Sequence, residues 1–497
     1  MKDSLESVIT AALADRWESL PLLGSWAGVE GWDHTLGRID PEAVAERVKN
    51  KKSLLLRLGK IRPRGPEEEL DHKVLSGSLA VQIPEIERYR RLEWDAALCP
   101  LTVVRSLHIL ITRPLPSAYR RDAIRSRLAE APRYLRQGLD NLRGPDPEAL
   151  RVAAHACASG VIFLKDAIWP LDPAGARAAA AAFEDYAREL RRGRGGPARK
   201  RFPIGRELFE LKLRKEHGLA CDARELVEVG RAAQESTLTS LRALARRLDP
   251  NSNWRALLAQ AKSRRPSGRT LLSVYRAETL RSRRFCLDKN LATFPNGERL
   301  LVEATPRFEW DTSPFAALLP PGPFERSRTS RFWVTPVDPA WPAKKRRERL
   351  EGHSLDGLAS VCPHEGYPGH HLQLVRSNMI ASRVRKVFTT PVLIEGWAFY
   401  CEQMMEEEGY IRDARSRLYR LKDQLWRAVR VEVDAGLHVG GWSPRRAADA
   451  MVRGAMLEPA NAEAEVSRYC TSPTQPMSYL IGKIEILKLR ERCRRAW

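Results

Sequence analysis

The chain has 497 residues, and 84 Lys and Arg against 62 Asp and Glu give it a formal charge of +22. A hydrophobic fraction of 43% with 13 Trp supports a packed core and excludes global disorder. Scattered Gly and Pro exclude a collagen-like repeat, and eight dilute Cys exclude a disulfide scaffold.

At about 100–200 residues per domain, the length fits one large catalytic unit or two to three smaller ones. The first residues, Met1-Lys2-Asp3-Ser4-Leu5-Glu6, carry acids and lack the basic-then-apolar order of a signal peptide. Nowhere do about 18 apolar residues run together, so no membrane-spanning helix is expected. The Cys, at 99, 157, 221, 286, 362, 401, 470 and 493, form no C-x-x-C pair. Single scattered thiols suit a reducing compartment, and the expected location is the cytoplasm, with no membrane partner.

Helix signals dominate the first half. Asp40-Pro41 is an N-cap followed by Pro at the first helical position, and Asp172-Pro173 repeats the device before an Ala-rich stretch that ends near Arg192. Apolar residues recur at helical spacing from Pro147 to Asp166, and Glu207–Lys215 and Ala223–Arg247 read the same way. Basic runs at 192–201, 344–349 and 490–495 lie far apart, lack interleaved aromatics and accompany no nucleic-acid-binding signature. They read as solvated faces, and nucleic acid is not an expected partner.

Between 285 and 338 the pattern changes. Residues 300–304 and 329–335 are short β-leaning runs bounded by Pro-rich turns such as 319–323, and the second could pair its edge with an extended peptide. Helical character returns after 340. The expected architecture is mainly α with a small inserted sheet, in two parts of one continuous unit: a helical part over 1–200 and a catalytic part over 201–497.

The chemistry concentrates in Cys362-Pro363-His364-Glu365-Gly366-Tyr367-Pro368-Gly369-His370-His371-Leu372-Gln373, which holds three of the ten His. His beside Glu followed by further His is the composition of a zinc-hydrolase helix, in which two imidazoles hold the metal and the Glu takes a proton from water. The spacing is not H-E-x-x-H, because Pro368 stands where the second ligand would fall. On an unbroken helix His371 would return to the face of His364 but about 10.5 Å along the axis, and His370 would be about 120° off that face. A break at Pro368-Gly369 would bring His370 to the metal, so the motif requires a distorted helix. His371 remains a ligand, a donor to one, or a substrate contact.

Thr390-Pro391 opens a helix that Gly409 stops. Glu395 lies in it among Val392, Leu393, Ile394, Trp397 and Ala398 and needs a partner there, either a metal or an Arg. Glu402 and Glu406–Glu408 read as a solvated face. Zn²⁺ suits two imidazoles and a carboxylate, and other divalent transition metals accept similar ligands. Asp434, one helical turn before His438, could orient an imidazole.

These stretches, with Val433-Asp434-Ala435-Gly436-Leu437-His438, Glu465–Tyr469 and Ser478–Lys483, resemble the bacterial metallopeptidase-like family catalogued as domain of unknown function 885. Weaker similarity reaches back through Pro203–Phe209 and the 285–338 strands, while Pro363 departs from the family pattern. The resemblance implies a helical, gluzincin-like fold. It implies His364, His370 and Glu395 as metal ligands and Glu365 as general base. His438, Arg468, Tyr469 and Tyr479 would surround the substrate, with Tyr469 and His438 in catalytic positions; His371 and Tyr367 are added as substrate contacts. The expected function is zinc-dependent hydrolysis of a peptide or amide bond in a small peptide or amide-containing molecule. The alternatives are a metal-dependent tailoring step on an amino-acid-derived metabolite, and an anion- or nucleic-acid-binding protein with a vestigial His cluster.

Overall fold

The computed structural model describes residues 4–310, 313 and 315–496. The fold is mainly helical with one small sheet, as the residue pattern predicts. Capping chemistry sets many boundaries. Asp40 accepts from the Ala43 amide and opens Pro41–Leu58, and Asp172 accepts from Gly175 and opens Pro173–Arg191. Pro at the first position loses no helical hydrogen bond, because that amide has no intrahelical acceptor. Among the described residues, no single helix is long and apolar enough to cross a membrane.

The chain divides into two compact units. The first takes the residues up to Ile204 with Gly322–Ser327 and Ile380–Phe388. One of its cores packs Val8, Ile9, Leu13 and Trp17 against Leu54, Leu58, Leu75, Leu79, Val384 and Val387. Its fully buried Arg127 donates to the Ser106, Trp32 and Thr35 carbonyls and to the Ser25 hydroxyl, which satisfies a guanidinium deep in the interior.

The second unit holds the elements that matter for the site: α1 (Leu271–Asp288), α2 (Leu355–Glu365), α3 (His370–Ser377), α4 (Pro391–Glu407), α5 (Ala414–His438), α6 (Pro459–Cys470) and α7 (Gln475–Ala496). Its strands are β1 (Arg299–Ala304), β2 (Ala316–Leu319) and β3 (Thr329–Val334), in the order β1-β3-β2. β3 runs parallel to β1 and antiparallel to β2. The 329–335 run therefore has both edges occupied and cannot take a peptide; the edge strands are β1 and β2. Val302, Phe332 and Val334 pack with Leu271, Tyr275, Leu358 and Cys362, which seats the sheet on α1 and α2.

Helix α4 starts where Thr390 accepts from the Val392 amide, and Gly409 follows its end with φ +86°. It crosses α7 at Gly396 and Gly482, whose backbones touch. A Cβ on Gly482 would stand 1.9 Å from the Val392 carbonyl oxygen and 2.7 Å from the Gly396 Cα, and backbone on both sides cannot yield. Gly482→Ala is expected to destabilise the protein by about 1–3 kcal/mol, the overpacking range, despite the better helix propensity of Ala. Chemical denaturation checks this, and an unchanged midpoint would refute the close crossing.

Candidate metal centre

Helix α2 carries His364 and Glu365 in its last turn. Pro363 fits within it at the cost of one amide donor, and the helix ends at Gly366. The chain then folds back through a cis Tyr367–Pro368 peptide, and Gly369 donates to the Pro363 carbonyl at 3.0 Å. Gly369 is required at this point because a Cβ there would lie 1.9 Å from the His364 carbonyl oxygen. His370 becomes the first residue of α3, and its ring stands 4.7 Å from that of His364 at 87°. The break predicted at Pro368-Gly369 is therefore present, and it places these two imidazoles together.

Glu395 of α4 completes the group. One ligand atom from each of His364, His370 and Glu395 lies within 4.8 Å of the others. Glu395 Oε2 is 3.1 Å from His370 Nε2 and 3.7 Å from His364 Nε2, while Oε1 accepts from Gln475 Nε2 at 2.9 Å. Its partners are two imidazoles and an amide rather than an Arg. Burial would raise its carboxyl, but the positive charge of His370 and His364 outweighs burial and holds it well below the usual range. Burial likewise would lower His364, and hydrogen bonding to Glu395 and Glu402 instead raises it to about 9. Two imidazole nitrogens and a carboxylate oxygen converging on one point form a set that a divalent cation fits.

Glu402, two turns beyond Glu395 on α4, corrects the reading of that stretch as a solvated face. It is 1% exposed, and its Oε1 accepts from His364 Nδ1 at 2.8 Å, which turns Nε2 toward the ligand group. The seven-residue spacing puts both carboxylates on one helix face, and that spacing was the available signal. Carboxylate-oriented imidazoles are the usual support of a metal ligand. Glu402→Gln is expected to weaken Zn²⁺ binding about 10–100-fold in competition with a chromophoric chelator. Unaltered affinity would mean that His364 needs no charged partner.

The group opens on a cavity of about 310 Å³ lined by β2 through Ala316, Ala317 and Leu318, by His364, Glu365, His370 and Glu395, and by Arg427, Arg430, Arg468, Gln475 and Tyr479. Glu365 Oε2 is buried there without a hydrogen-bond partner among the described residues. Burial pushes its carboxyl up, and His370 and His364 only partly offset this. Tyr479 stacks on His364 with centroids 6.0 Å apart. Arg468 donates to Gln475 Oε1 at 2.7 Å and to Glu465 Oε2 at 3.0 Å.

The other sequence candidates do not reach the cavity wall. His371 is fully buried between Ser330 Oγ and Glu298 Oε2, both at 2.7 Å, and Tyr367 donates to the same Glu298 oxygen, so both pin the α2–α3 turn to the sheet. His438 Nε2 meets the Tyr469 carbonyl at 3.0 Å and its ring stacks on Phe209. Tyr469 is wholly buried with Arg430 and Arg468 over its ring. Asp434 accepts from the Thr474 and Met477 amides, both at 3.2 Å, and so serves the start of α7 rather than an imidazole ligand.

Fold and site together define a mainly helical protein with a candidate His-His-Glu metal centre opening on a small cavity. The chain belongs to the family described as bacterial proteins of unknown function, DUF885, whose model matches residues 21–497. No curated protein matches it. Among solved structures, it is similar to a candidate lipoprotein of unknown function from Shewanella oneidensis, with TM-score 0.77 and 23% identity over 99% of this chain and 94% of that one. A candidate lipoprotein from Colwellia psychrerythraea gives TM-score 0.77 at 16% identity, over 100% and 94%. These likenesses establish the shared fold.

Proposed function

We propose that this protein is a zinc-dependent hydrolase of peptide or amide bonds in small substrates. The observation that carries the reading is the approach of three ligand atoms to one another in a cavity that Glu365 also lines, with a carboxylate oxygen that has no hydrogen-bond partner among the described residues. A Zn²⁺ ion held by His364, His370 and Glu395 would supply a Lewis acid that polarises the scissile carbonyl and acidifies water. The Glu365 carboxylate takes the proton of the attacking water and returns it to the leaving amine, a role suited to a carboxyl raised by burial. Glu402 holds His364 in the tautomer that presents Nε2, and Gln475 holds Glu395. Tyr479 and Arg468 border the cavity as donors to the oxyanion or to an anionic end of the substrate.

The volume sits at the low end of ligand pockets and suits a dipeptide-sized molecule rather than a folded protein. Among the described strands β2 pairs on one side only, so its other edge offers backbone groups to an extended substrate. Eight scattered Cys with no C-x-x-C pair fit a reducing compartment, in keeping with a cytoplasmic enzyme. The test is elemental mass spectrometry of protein purified without a His-tag, with hydrolysis of a short-peptide panel before and after chelation. About one Zn per chain and chelator-sensitive cleavage support the reading. A metal-free protein that stays so after Zn²⁺ loading and dialysis would defeat it.

A further inference from the structure

The cavity holds a cation that the hydrolytic machinery does not use. Arg430 of α5 lines it with a side chain 3% exposed. Its Nη2 donates to Glu465 Oε2 at 3.0 Å, but Nε and Nη1 have no hydrogen-bond partner among the described residues. Three of its five N–H groups are thus removed from water without an acceptor, which a folded protein rarely leaves uncompensated.

The surroundings keep the group fixed and charged. The guanidinium carbon lies 4.1 Å from the Trp426 ring and 4.4 Å from the Tyr479 ring, which hold it from two aromatic neighbours. Glu465 Oε2 also accepts from Arg468, so one carboxylate serves two guanidinium groups and leaves an excess positive charge at this wall. Tyr479, whose ring Arg430 covers, stacks in turn on the ligand His364. Arg430 is therefore linked to the metal group through Tyr479, on the same cavity wall.

We infer that Arg430 binds a free carboxylate of the substrate, so that the cavity takes dipeptides or N-acyl amino acids with an ionised terminus next to the scissile amide. This rests on the cavity being the substrate site. A buried guanidinium with N–H groups left over after its pairing with Glu465 gives charge-assisted hydrogen bonds to a carboxylate, and a neutral amide in its place would leave donors unmatched. A dianion is a poorer match, because Glu365, Asp423 and Glu465 line the same space. Arg430 is thus a specificity-determining residue that favours cleavage at a chain end over internal cleavage.

The test reads binding without turnover. Intrinsic tryptophan fluorescence, to which Trp426 contributes beside Arg430, is titrated with N-acetylated dipeptides, each as free acid and as C-terminal amide, on the full chain with and without Zn²⁺. The acids are expected to bind at least about tenfold tighter than their amides. Arg430→Met should abolish that difference. Arg430→Lys keeps the charge with fewer donors; it should shrink the difference and covers the case in which the Met variant does not fold. Equal affinity for acid and amide, no binding of either, or a preference that survives the substitutions would overturn the inference. An intact acid preference in a protein that hydrolyses nothing would instead overturn the hydrolase reading and leave the carboxylate site standing.

Discussion

Glu365→Gln is expected to lower turnover by about 10²–10⁴-fold, the usual contribution of a general base, while metal content stays at the wild-type level. Glu365 is outside the group whose ligand atoms converge, yet it lines the same cavity, and its Oε2 is buried with no hydrogen-bond partner among the described residues. Gln has the same shape and no basic oxygen, so packing and the ligand set are preserved while proton transfer is lost. Because the wild-type carboxyl is raised by burial, the acid limb of the wild-type pH–rate profile should lie above the ordinary carboxylate range. Below that limb Glu365 is protonated and cannot accept; activity appears as pH rises through it. Kinetics paired with elemental analysis checks both halves, and hydrolysis retained within tenfold in the metal-loaded variant would remove Glu365 from the mechanism.

The second large effect is expected at the ligands. His370→Ala removes one of three donors and should weaken Zn²⁺ binding by more than about 100-fold, beyond the loss typical of a supporting residue. His371→Ala is the informative companion. Its imidazole lies fully buried between Ser330 and Glu298, so its removal leaves a cavity and deletes two buried hydrogen bonds, although Tyr367 and Arg283 still serve Glu298, and should lower stability while the metal stays bound. Metal stoichiometry after dialysis, with thermal unfolding alongside, separates the two. Metal lost in His371→Ala and kept in His370→Ala would reverse the assignment.

The contrast between these neighbours shows where the residue pattern stops being informative. On a straight helix from His364 neither His370 nor His371 fits, and the choice of His370 rests on an expected break at Pro368-Gly369 and on the family resemblance, with His371 kept as the alternative. What separates them is the reversal after Glu365, where Gly369 lies against the His364 and Pro363 carbonyls and starts a new helix at His370. Glu402 is a similar case. Its place among acidic residues suggested solvent, and burial against His364 follows from how α4 faces α2, which composition alone does not encode.

By itself, the sequence determined the mainly helical class, many helix starts through Asp-Pro and Thr-Pro caps, the approximate places of two strands, and the residue types able to hold a metal. These are local properties: a cap acts within one turn, a period within a few, and ligand chemistry belongs to the side chain. Only the tertiary structure decided that β3 is central, that Gln475 secures Glu395 from 80 positions away, that Tyr367, His371, His438 and Tyr469 lie off the cavity, and that Arg430 lies on it. Each of these depends on elements distant in the chain packing together, as where Gly396 and Gly482 bring α4 onto α7. Burial and hydrogen-bond partners are settled by such packing, because a side chain's surroundings come mostly from other segments of the chain.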